Sequence, residues 1–71
     1  MIPSDCQVGP DEWVMEIESK PDDYGRVRFT LYWFGYNPWK DYDGIRAQCF
    51  HAVPAEHMNA NTRIVDRTVS A

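Results

Sequence analysis

Cys49, His51 and Glu56 bring a thiol, an imidazole and a carboxylate into one short span, the residue types of nucleophilic catalysis. On an extended strand, positions i and i+2 share a face but stand roughly 6–7 Å apart, too far for a direct hydrogen bond between them. Cys6, Cys49, His51 and His57 are candidate tetrahedral zinc ligands by type. The paired C-x-x-C spacing of structural zinc sites is absent, so no metal is expected to hold the fold. In "KDYDG", Asp41 and Asp43 precede Gly44, but a calcium loop counted from that glycine puts Trp39 at the first ligand position and Phe50 at the bidentate one. Turn-forming aspartates are the expectation. There is no Gly-rich phosphate loop, and a chain of 71 residues encloses little pocket. The expectation is a non-enzymatic protein without a cofactor.

The distinctive stretch is "LYWFGYNPWKDYDG", which holds Tyr32, Trp33, Phe34, Tyr36, Trp39 and Tyr42. Tyrosine and tryptophan join a large apolar area to a polar tip, which suits them to anchor an interface. Tyr32, Phe34, Tyr36, Trp39 and Tyr42 are therefore the candidate binding surface.

The elements that position these residues read mainly as strands. Residues 1–10 carry two prolines and a glycine and read as an irregular N-terminal arm before a single β-rich domain, 11–71. "EWVMEIES" alternates, with Trp13, Met15 and Ile17 on one face and Glu12, Val14, Glu16 and Glu18 on the other. "KPDDYG" is a turn. "RVRFTLYWF" sets Val27, Phe29, Leu31 and Trp33 inward and Arg26, Arg28, Thr30 and Tyr32 outward, so Glu16 and Glu18 are expected to pair with Arg26 and Arg28 across a hairpin.

"GYNPWKDYDG" reads as a loop. "IRAQCFHAV" reads as a third strand, with helix as the alternative for Ile45–Val53. "PAEHMN" suits a short helical turn opened by Pro54, and "RIVDRTV" a last strand. The fold class is small, single-domain and mainly β: an antiparallel meander of three to four strands with at most one short helix, α+β being the alternative. In it Trp33, Phe29 and Leu31 are core, whereas Tyr36, Trp39 and Tyr42 are released from the sheet by Gly35 and Asn37-Pro38.

The segment "FTLYWFGYNPWKDYD" resembles the part of chromo and chromo-barrel domains in which a strand ends in aromatic, one residue, Gly, aromatic, followed by a Trp-rich turn. That resemblance implies an aromatic cage for methyl-lysine or another cation, with Trp33 as one wall and Tyr36 or Trp39 as further walls.

At 44% hydrophobic and 14% aromatic the chain is too apolar for a disordered tail. A net charge of −4, with scattered arginines, argues against direct nucleic-acid binding. It favours a basic protein surface, including one that normally holds nucleic acid. There is no charged start followed by an apolar run and no membrane-length apolar stretch, so the expectation is a complete, cytoplasmic gene product with both cysteines free. The expected function is a small acidic protein-protein binding module, an inhibitor or adaptor of the kind carried by phages and mobile elements. The alternatives are the cage reader and a zinc-stapled structural protein. An uncovered aromatic face also invites a homodimer.

Overall fold

The computed structural model describes residues 1–69. A 3₁₀ turn, η1 (Ser4–Cys6), precedes strands β1 (Trp13–Ile17), β2 (Val27–Asn37) and β3 (Tyr42–Ala52). A second 3₁₀ turn, η2 (Pro54–His57), leads to β4 (Thr62–Asp66). The mainly β, single-domain expectation holds. The four strands form one sheet in the order β3-β2-β1-β4, antiparallel between β3, β2 and β1. At the far edge the sheet departs from a meander, because β4 lies parallel to β1.

The β1–β2 hairpin has the anticipated facing, with Trp13 opposite Trp33, Met15 opposite Leu31 and Ile17 opposite Phe29. Asp22 builds its turn: Oδ1 accepts from the N–H groups of Tyr24 and Arg26, both at 2.9 Å, and Gly25 takes φ +78°, the region open to glycine. The expected cross-strand charge pairs do not form. Glu16 instead accepts from Arg67 Nε at 2.8 Å, and Glu18 accepts from the Thr30 hydroxyl at 2.5 Å. Arg26 turns back to Asp22 at 3.0 Å.

Ile45–Ala52 is strand, not helix, with Val53 just beyond it, and β3 begins earlier, at Tyr42. The expected loop from Gly35 to Gly44 therefore shrinks to Pro38–Asp41, because β2 and β3 stay in register from Val27↔Ala52 to Asn37↔Tyr42. Local β propensity on both sides extends the ladder through Gly35 and Gly44, which sit opposite one another.

Both faces of the sheet bear a core. On the first, Met15, Val27 and Phe29 are buried, with Ile17, Leu31, Phe50 and Ala52 packed on them. η2 crosses this face and sets His57 against Phe29 and Phe50, whose rings stack 5.2 Å apart. On the second, Cys6 and Val8 of the N-terminal arm bury Val14 and Tyr32, joined by Ile2, Phe34, Ile45 and Val65. Apart from its 3₁₀ turn the arm has no regular structure, and it packs over this face as a lid. Each large apolar side chain it removes from water contributes about 1.5–3 kcal/mol.

Of the three aromatic and aliphatic residues expected in the core, Phe29 is fully buried, while Leu31 and Trp33 are half-buried. Trp33 sits at the end of the β1 pairing, with the Arg46 guanidinium 6.0 Å from its ring.

Candidate functional site

Beyond Trp33, β2 and β3 run on without β1 and form a two-stranded arm. Its turn is built from Asn37. The Asn37 carbonyl accepts from the N–H of Lys40 at 3.1 Å and of Asp41 at 2.8 Å. Its side-chain Oδ1 accepts from the Trp39 N–H at 3.0 Å, a side-chain mimic of a backbone turn. Asp41 takes φ +57°, a conformation that aspartate tolerates better than most residues. The Tyr36 hydroxyl donates to Asp41 Oδ1, and this bond raises the phenol above its ordinary pKa.

Three rings stand at this tip: Trp39 is 90% exposed, Tyr42 58% and Tyr36 54%. Trp39 occupies the middle of a hydrogen-bonded turn, so its backbone is held while its indole faces water. Asp41 and Asp43 flank the rings.

The other two residues of the expected surface are placed differently. Tyr32 is 6% exposed, beneath the N-terminal arm, with its hydroxyl donating to Glu16 Oε1 at 2.9 Å. Burial and that bond raise its pKa strongly. It belongs to the second core, and the expectation that it lies on the surface is corrected. Phe34 is half-buried against the same cluster and contributes an edge at most.

The residues of the cage-like segment do not converge. Trp33 and Tyr36 have opposite parity on β2, so Trp33 shares a face with Phe29 and Tyr36 shares one with Tyr32. The Trp33 ring also already has a cation near it, the Arg46 guanidinium at 6.0 Å, whose Nη1 donates on to the Tyr36 carbonyl at 2.5 Å. Arg46 was not singled out from the sequence. Its signal was its place directly opposite Trp33, which only the register reveals.

The candidate ligands and nucleophile are dispersed as well. Cys49 and His51 point to the second face from β3, whereas His57 packs on the first. Cys6 is fully buried, its thiol pushed up by burial. His51 Nε2 lies 3.6 Å from Asp22, and the Cys49 sulfur lies 3.3 Å from the Thr30 hydroxyl. Among the described residues no three metal-ligating side chains gather, and no helix is long and apolar enough to cross a membrane.

Comparison with protein-family models, curated proteins and solved structures finds no match to this chain.

Proposed function

We propose that this protein is a non-enzymatic binding module that engages another protein through the aromatic tip of its β2–β3 arm. The observation that carries the reading is Trp39, 90% exposed at the centre of a turn held by four hydrogen-bonding groups of its own neighbours. A large ring carried on a hydrogen-bonded turn leaves only its side-chain torsions to be ordered on binding, which suits it to an interface anchor. Tyr36 and Tyr42 lie on opposite faces of the β2–β3 arm, so each face offers one further ring beside the turn, and the Tyr36–Asp41 bond orients the first of them in advance.

The partner's docking surface combines an apolar cleft with basic residues. Asp41 and Asp43 beside the rings outnumber Lys40 of the same turn, and with the net charge of −4 they supply the complementary field. A protein that normally holds nucleic acid offers such a surface, and occupying it makes this chain an inhibitor or adaptor.

The test is parallel affinity capture from the source cell with wild-type and Trp39→Ala baits. The reading expects a basic protein retained by the first and lost from the second. Equal retention by both baits contradicts it.

A further inference from the structure

β3 is an edge strand of 11 residues. The Glu18 N–H donates to the Arg28 carbonyl at 2.8 Å, so the even-numbered residues of β2 turn their backbone groups toward β1. Its odd-numbered residues, Val27 to Asn37, therefore bond to β3 at Ala52, Phe50, Gln48, Arg46, Gly44 and Tyr42. The intervening residues Asp43, Ile45, Ala47, Cys49 and His51 direct every N–H and C=O to the open edge. Among the described residues no side chain caps any of them.

The other edges are protected. β4 has five residues and Arg63 and Asp66 among them, while Arg46 covers the Tyr36 carbonyl on the free part of β2. β3 has no proline, no bulge and an unbroken register over its whole length.

We propose that this edge pairs antiparallel with the same edge of a second copy, about a two-fold axis through Ala47. That register uses the whole strand, from Tyr42 opposite Ala52 to its mirror pair. It also makes every outward-facing residue a hydrogen-bonded partner of another. The side chains it brings together are self-complementary. Ala47 meets Ala47 on the axis, where two small groups fit. Ile45 of one copy lies beside Cys49 of the other, an apolar pair.

Asp43 of one copy meets His51 of the other, a carboxylate against an imidazole that has only Asp22 near one of its nitrogens. On the opposite face Arg46 lies beside Gln48 and only diagonal to the other Arg46, so no like charges stand directly opposite. The result is one continuous eight-stranded sheet whose two arms point in opposite directions, carrying an aromatic tip at each end. A partner with two sites is then engaged bivalently.

Sedimentation of the full chain over a range of concentrations tests this. The wild type is expected to show a reversible dimer. Ala47→Lys opposes two charges on the axis, and Ala47→Pro removes an N–H that serves only the open edge, so each raises the dimer dissociation constant at least about tenfold while the far-ultraviolet circular dichroism stays unchanged. In a Cys49→Ser background, Ala47→Cys is expected to oxidise to a covalent dimer, because residues opposed in such a pair sit about 5.5 Å apart at Cα. A wild type that stays monomeric up to about 1 mM, a millimolar association being the weakest worth the name, overturns the proposal. So does a dimer that survives both Ala47 substitutions, or one lost in Trp39→Ala but kept in Ala47→Lys.

Discussion

Arg67 and Asp5, 62 positions apart, are joined by two hydrogen bonds of 2.7 Å, from Nη1 to Oδ2 and from Nη2 to Oδ1. Arg67 Nε reaches Glu16 as well, and Arg63 donates to the Asp5 carbonyl at 2.9 Å. The end of β4 thereby fastens the N-terminal arm onto β1. The hydrogen bond from Arg67 holds the Asp5 carboxyl below its ordinary pKa of 3.8. A carboxyl depressed in the folded state stabilises above its unfolded value, and that contribution disappears as pH falls through the lower folded value. Melting temperature against pH is expected to show wild type above Asp5→Asn at neutral pH, with the gap closing below pH 3.8. A gap that persists undiminished in acid shows that the ionised carboxylate is not its source, and no gap at neutral pH assigns the arm's attachment to apolar packing alone.

Thiol chemistry reads the same lid. Cys6 is buried and its pKa raised by burial, whereas Cys49 is exposed. Reaction with a thiol reagent is expected to be fast at Cys49 and slow at Cys6 in the native protein, and fast at both in denaturant. Arg67→Ala is expected to speed the Cys6 reaction while leaving Cys49 unchanged. Equal native rates at the two cysteines count against a closed arm.

Tyr32 separates packing from hydrogen bonding beneath that arm. Tyr32→Phe removes the bond to Glu16 Oε1 but keeps the ring, so it is expected to cost about 0.5–1.5 kcal/mol in denaturant unfolding. Tyr32→Ala also empties the space and is expected to cost about 3–5 kcal/mol, the range for deleting a buried aromatic. If both variants melt like wild type, the second core is not a core.

Much of the strand order near the N-terminus was legible because period-2 alternation in "WVMEI" and "RVRFTLYWF" marks both members of a hairpin and their facing. The second core was not legible by that rule. Alternation assigns one face to water, yet Ile2, Cys6 and Val8 come from a proline-punctuated segment with no periodicity to announce where it packs. The parallel placement of β4 depends on η2 crossing the first face, a tertiary contact between His57 and the Phe29–Phe50 pair that local propensity does not encode. At the candidate site the turn formers at Asn37-Pro38 and Asp41 were legible, and so was the exposure of Tyr36, Trp39 and Tyr42. Tyr32 was misplaced through the same hidden lid.

Burial ranks the two large aromatics on the first face. Phe29 is fully buried between Phe50 and His57, so Phe29→Ala is expected to cost about 3–5 kcal/mol and to unfold a domain of this size. Trp33 is half-buried, and its variant Trp33→Ala is expected to melt between Phe29→Ala and wild type. Denaturation of the three proteins side by side checks the order, and a reversal places the core at the base of the arm instead.

The tip aromatics decide the account as a whole. Trp39→Ala removes a ring that is 90% exposed, so stability is expected to stay within about 0.5 kcal/mol of wild type. Affinity for the protein that the wild type retains is expected to fall at least about tenfold, the scale of an anchoring residue. The direct measurement is the dissociation constant of that complex for wild type and Trp39→Ala, taken with the melting temperature of each. Weakened binding at an unchanged melting temperature is the result expected. Unchanged binding, or a variant that unfolds, contradicts the assignment of the tip as the binding surface.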